Sequence, residues 1–143
     1  MKAAEIRVTY RKKTHNTPVV VSSNVAHEIF RNSWQKDMQL RERFKVMYLD
    51  MGNNVLGIHE TSAGTLSGCL VDVRHVLAIA LKVNACSIIL CHNHPSGNLN
   101  ASHQDVQITE KVKEAGKLLD VGVLDHLILT AEGYTSMTDE GQI

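Results

Sequence analysis

The stretch Ala85-Cys86-Ser87-Ile88-Ile89-Leu90-Cys91-His92-Asn93-His94-Pro95-Ser96-Gly97 decides how this chain is read. Ala85 to Cys91 is a short apolar run with β-branched members. It is bounded by Asn84 and by a Pro-Gly turn, which suits a buried strand better than a helix. Side chains alternate along a strand, so His92 and His94 point to the same side if the extended backbone continues. Pro95 and Gly97 then end the strand. Two neutral imidazoles at i and i+2 can bind one zinc at about 2.0–2.1 Å each.

Working outward, Ser102 to Leu119 has helical spacing, with Val106, Thr109, Val112, Ala115, Gly116 and Leu119 on one face. Ser102-His103-Gln104-Asp105 reads as an N-cap with an acidic residue three positions on. Two readings of it stand side by side. One is a capping box and nothing more. In the other, the first turn of the helix follows the histidine loop, Asp105 supplies a third, oxygen ligand, and Ser102 faces the same cavity. Two histidines and one carboxylate leave the fourth tetrahedral position to water, as in catalytic zinc sites.

At this point the residues resemble a family. His92-x-His94, seven intervening residues, Ser102, two more and Asp105 are similar to the JAMM (JAB/MPN) metalloprotease motif. Gly64-Thr65-Leu66, Val71, Arg74, Val76, Leu81-x-x-Asn84-Ala85, Ile88-Ile89-Leu90, His92 to Gly97 and Leu124-Asp125-His126 resemble its RadC-like branch. The resemblance covers roughly residues 40–137. It implies an α/β fold, a JAB/MPN-like (cytidine-deaminase-like) mixed β-sheet flanked by helices. Residues 36–143 would form that domain and residues 1–35 an N-terminal strand and helix extension.

The resemblance also implies a mechanism. One zinc ion, held by His92, His94 and Asp105, activates a water that cleaves an amide bond in a peptide or protein. The family's general-base Glu falls at Glu42, at the head of a half-buried strand running from Phe44 to Leu49. Ser102 is then a hydrogen-bond donor to the water or to the tetrahedral oxyanion. Glu28 and Glu60 are other upstream carboxylates. His59-Glu60 begins like a His-Glu-x-x-His zinc helix, but position 63 is Ala. Position 93 is Asn, where the isopeptidases acting on ubiquitin conjugates usually carry Ser or Thr. The chain also lacks long insertions after the motif, and both points weaken transfer of that substrate.

Composition sets outer bounds. A chain of 143 residues suits one domain. Fifteen Lys+Arg balance 15 Asp+Glu, which argues against a broad nucleic-acid surface, and 4% aromatic residues give no stacking track. No apolar run has the length of a membrane span, and the N-terminus has no apolar signal segment. Cys69, Cys86 and Cys91 form no CxxC pair, so a reduced, cytoplasmic setting is expected. Cys91 adjoins His92, but strand neighbours point opposite ways, so a buried structural thiol is expected rather than a nucleophile.

The remaining elements follow from periodicity. Glu5 to Tyr10 alternates as an edge strand would, and Arg11-Lys12-Lys13 with His15 forms a small basic patch. Val19 to Val21 is a short apolar run. Val25, Ala26, Ile29, Phe30 and Ser33 have helical spacing, with Ser22, Ser23 and Asn24 available to cap. A strand over 44–49, a Gly52-Asn53-Asn54 turn and a strand over 55–60 predict a hairpin. Cys69-Leu70-Val71 is strand-like, and Asp72 caps a helix over 73–83. Strands follow at 123–130 and 134–137. His75 lies on the polar side of its helix. His126 is expected to pack or hydrogen-bond, with support of the metal ligands as the lesser role. The competing functions are a non-enzymatic interaction module and a DNA-repair-associated accessory protein of the RadC type.

Overall fold

Among the residues described by the computed structural model, 1–12, 16–63 and 71–143, the chain runs α1 (Ser23–Asn32), β1 (Arg43–Leu49), β2 (Val55–Ala63), α2 (Val73–Lys82), β3 (Ser87–Asn93), α3 (His103–Leu118), β4 (Gly122–Leu129) and β5 (Tyr134–Ser136). The strands form one mixed sheet in the order β2-β1-β3-β4-β5. β3 pairs antiparallel with β1 and parallel with β4. A parallel neighbour needs a crossover, and α3 supplies it.

Alternation divides the sheet into two faces. Phe44, Val46 and Tyr48 of β1 and Ile88 and Leu90 of β3 pack against Val76, Leu77 and Ala80 of α2 and Val112 of α3. Met47, Leu49, Ile89, Cys91, Leu127 and Leu129 pack on the other face against Ala26 and Phe30 of α1. All seven residues of β3 are buried, the apolar centre at 88–91 and the polar Ser87, His92 and Asn93 alike, as a strand covered on both faces should be.

The helix caps are those the sequence proposes. Ser22 caps α1 and Asp72 caps α2. Asn84 and Asp120 take left-handed backbone (φ 56° each) just past the ends of α2 and α3. Short polar side chains tolerate that conformation. Asn53 does the same in the β1–β2 turn (φ 58°).

Three expectations change. Residues 5–10 form no strand: Ile6 and Val8 are 89% and 67% exposed, so no apolar partner rewards pairing. Of the strand-like Cys69-Leu70-Val71, the first two residues lie outside the described ones, as do Lys13, His15 and the Gly-rich link 64–68. Val71 itself enters the α2 cap without strand structure. The spacing of Val73, Val76, Leu77, Ala80 and Leu81 predicts one apolar stripe along α2, but Leu81 is 52% exposed and the buried face is Val76, Leu77 and Ala80.

Gly116 fixes how closely α3 lies to the chain leading into β4. A Cβ there would meet the Val121 carbonyl oxygen at 2.4 Å. Gly116→Ala should therefore destabilise the protein by about 1–3 kcal/mol through overpacking, despite a helix-propensity gain of about 1 kcal/mol. A urea midpoint at or above wild type would show that α3 can shift without cost.

Candidate metal centre

β3 ends on the face covered by α3, and the loop after it leads into the α3 N-terminus. The carboxyl end of a strand and the amino end of its following helix are thereby neighbours, where α/β folds place ligands. His92 is the penultimate residue of β3 and is 1% exposed. His94 follows the strand, with its N–H donating to Leu129 O at 2.8 Å. A tight turn comes next: Gly97 N–H donates to His94 O at 3.0 Å, and Gly97 has φ +84°. Pro after the first position and Gly at the last suit such a turn. The turn returns the Asn98 carbonyl to 2.6 Å from His94 Nδ1.

Asp105 arrives from α3. Its Oδ1 lies 3.1 Å from His92 Nε2 and its Oδ2 lies 3.3 Å from His94 Nε2. The two histidine Nε2 atoms are 2.9 Å apart. One donor atom from each of His92, His94 and Asp105 falls within 4.8 Å of the others. The capping box is present, and the same Asp105 carboxylate reaches both histidines. Asp105 N–H donates to Ser102 Oγ at 3.1 Å, and Ser102 N–H donates to Asp105 Oδ2 at 2.7 Å. The capping box is the device that aims the carboxylate.

Hydrogen bonding fixes the ring tautomers. Thr109 Oγ1 donates to the Asp105 carbonyl at 2.6 Å, so it accepts from His126 Nδ1, also at 2.6 Å. His126 Nε2 then carries a lone pair and accepts from His92 Nδ1–H at 2.7 Å. His92 Nε2 is left bare, facing Asp105 and His94. His94 Nδ1–H must donate to the Asn98 carbonyl, so its Nε2 is bare as well when neutral. Two lone pairs and a carboxylate converge on one point. Such an arrangement is unfavourable unless a cation or a proton occupies it. The donor set, two imidazoles and one carboxylate, fits zinc.

Electrostatics agree with that geometry. Asp105 is pushed up by burial, but the histidine Nε2 atoms facing it become hydrogen-bond donors once a proton enters the cluster, and this outweighs burial and holds its carboxyl well below the usual range. His94 is raised, first by its bond to Asp105, against an opposing effect of burial. His126 is fully buried and held neutral, by desolvation first and by His92 second. Phe44 backs the cluster, stacked on His92 with centroids 6.0 Å apart and edge-on to His126 at 5.4 Å.

Glu42 sits half-buried at the mouth of the site, immediately before β1. Phe44 pairs with His92, so the register carried back two residues sets Glu42 across from His94, on the same face. Burial raises its pKa, the charges of His92 and His94 pull it down, and Asp105 pushes it up again. Glu28 is exposed on α1, and Glu60 is engaged by Arg43 Nη1 at 2.9 Å, so neither reaches the cluster. Cys91 is buried on the opposite face, its thiol pushed up by desolvation.

Two supports were not legible as such in the sequence. Asn93, 0% exposed, points away from the histidines. Its Oδ1 accepts from Arg43 N–H at 2.7 Å, and its Nδ2 donates to Met38 O at 2.6 Å and Arg41 O at 2.9 Å. It therefore clamps the backbone on both sides of Glu42. The available signal was a polar residue inside a buried strand, which must find partners. Thr109 occupies the helix face read as apolar, and only its contact with His126 gives it a role.

A mixed sheet with this two-His, one-Asp cluster at the end of a strand defines a JAB/MPN-like domain. The chain belongs to the RadC-like JAB domain family, whose profile it matches over residues 20–142. It is 50% identical over 100 residues to a UPF0758 protein of Flavobacterium johnsoniae, covering 70% of this chain and 44% of that protein. A Clostridium botulinum UPF0758 protein is 38% identical over 130 residues, 90% of this chain and 53% of the relative. A Methanosarcina mazei UPF0758 protein is 42% identical over 103 residues, 72% and 45% respectively. The chain thus spans about half the length of the curated relatives it matches.

Two outcomes test the centre. Asn93→Ala should cost about 1–3 kcal/mol, because the half-buried Arg43 N–H loses its acceptor and the Met38 and Arg41 carbonyls lose their donor; chemical denaturation measures this, and an unchanged midpoint would remove the clamp. In metal-free protein the His94–Asp105 pair stabilises between the lowered Asp105 pKa and the raised His94 pKa. Raising the pH through the His94 value removes that contribution and frees Nε2. Zinc affinity should therefore rise with pH across that limit, and isothermal titration at several pH values would expose a flat response.

Proposed function

We propose that this domain is a zinc-dependent amide hydrolase, a metallopeptidase or isopeptidase acting on a peptide or protein. The observation that carries the reading is the convergence of bare His92 and His94 Nε2 atoms with the Asp105 carboxylate. One zinc would be held at this centre by those three residues. When bound it would supply Lewis-acid polarisation of a carbonyl and lower the pKa of water from 15.7 toward about 7.

The chain's own groups supply the rest. Glu42 lies on the same face as the histidines, and its raised pKa suits a carboxylate that accepts a proton and returns it to a leaving amine. Asn93 positions it by holding the backbone from Met38 to Arg43. Ser102 Oγ accepts the Asp105 N–H and keeps its own O–H proton, available to a developing oxyanion. Such a donor is worth about 2.7–4 kcal/mol in a dry site. His126 and Thr109 hold the His92 ring in the tautomer that leaves Nε2 bare. The cytoplasm remains the proposed compartment: Cys86 and Cys91 are free thiols. Among the described residues, no helix is long and apolar enough to cross a membrane.

The test begins with metal content on protein purified without added metal. Zinc that survives purification is expected in wild type and Glu42→Gln, and that fraction is lost from His92→Ala/His94→Ala. A screen of peptide and isopeptide substrates should then give turnover in wild type and a loss of at least about a hundredfold in Glu42→Gln. Full turnover in that variant would remove Glu42 as the base. A centre that takes up no zinc would turn the reading to an interaction module.

A further inference from the structure

We infer that His59 and His75 form a second metal site, distinct from the centre at His92, that takes a borderline divalent cation between their Nε2 atoms. His59 lies mid-strand on β2, paired with Val46. His75 lies in the first turn of α2. Their Nε2 atoms face each other at 3.2 Å, with ring centroids 5.3 Å apart and ring planes at 56°. The His92–His94 pair has the same form, at 2.9 Å, 4.7 Å and 66°. Two imidazoles on one tetrahedral zinc at 2.0–2.1 Å place their nitrogens about 3.3 Å apart. The observed spacing therefore needs almost no adjustment.

The pair is also preorganised and reachable. Both residues belong to regular elements, so little backbone order is lost on binding, and both are exposed. Asp72 Oδ1 accepts the His75 backbone N–H at 3.4 Å, which seats that residue in its helical turn. His59 is held below the usual histidine range, first by desolvation and then by the facing His75, which favours the neutral, ligating form. Glu60 supplies no third donor, because its carboxylate is bound by Arg43. Two imidazoles, the donors that the described residues supply there, select Zn2+, Ni2+ or Cu2+ rather than Mg2+ or Ca2+. A cation held there would clasp α2 to β2, joining an edge strand of the sheet to the helix that covers the Phe44 face. The competing occupant is a proton shared in an N–H···N hydrogen bond.

The experiment is equilibrium dialysis of the full chain against excess Zn2+ at neutral pH, with metal counted by mass spectrometry. Two zinc ions per wild-type chain are expected, and one in His59→Ala/His75→Ala. One should also remain in His92→Ala/His94→Ala, where added zinc should still raise Tm, an effect abolished by adding His59→Ala. Histidine resonances of residues 59 and 75 should shift together on titration. Equal zinc counts in wild type and His59→Ala/His75→Ala, or a zinc-insensitive Tm in His92→Ala/His94→Ala, would overturn the second site. The fate of the His92 centre is read separately from the first of those variants. Circular dichroism confirms that each variant is folded, and both replaced side chains of the second site are exposed.

Discussion

Everything at the candidate centre depends on one chain of hydrogen bonds: Asp105 carbonyl, Thr109 hydroxyl, His126, His92. Each link has a forced direction, because a carbonyl can only accept. The chain starts on the same residue whose carboxylate closes the site, so α3 sets both the position of the oxygen donor and the protonation of the nitrogen donor. Thr109 and His126 are fully buried, which removes water as an alternative partner and makes the directions unambiguous. Orientation of a ligating imidazole by its other nitrogen is a general feature of metal sites.

The fold supplies this chain of bonds by an economy of topology. β3 pairs with β1 on one side and β4 on the other. Its end therefore receives Phe44 and the Glu42 segment from β1, His126 from β4, and Asp105 from the helix between β3 and β4. Asn93 uses the other face of the same strand to tie down the backbone bearing Glu42. A single strand end thus orders groups from three separate parts of the sequence, and alternation keeps the ligands and the clamp from interfering.

Much of this was legible beforehand because the signals are local. The seven-residue, mostly apolar run before His92, the Pro-Gly turn after His94, and Ser102 three residues before Asp105 each act within a few positions, and the strand, turn and capped helix form where they predict. The alternation of Ile6, Val8 and Tyr10 is as regular as that of β1, yet residues 5–10 form no strand. Periodicity reports what a segment can bury, not whether a partner lies alongside. His126 shows the same limit. Its place beside Asp125 in a strand was clear, but its contact with His92 spans 34 residues of sequence.

The sequence by itself determined the donor set, the strand and helix that carry it, and a neutral surface charge. These depend on residue type and on the short spacings among His92, His94, Ser102 and Asp105, which backbone geometry converts directly into direction. Only the tertiary structure decided which tautomer His92 adopts, why Asn93 stands between His92 and His94, and that His59 and His75 meet across β2 and α2. Those outcomes depend on strand order and helix packing. They are set by the summed burial of two core faces rather than by any local pattern around the residues concerned.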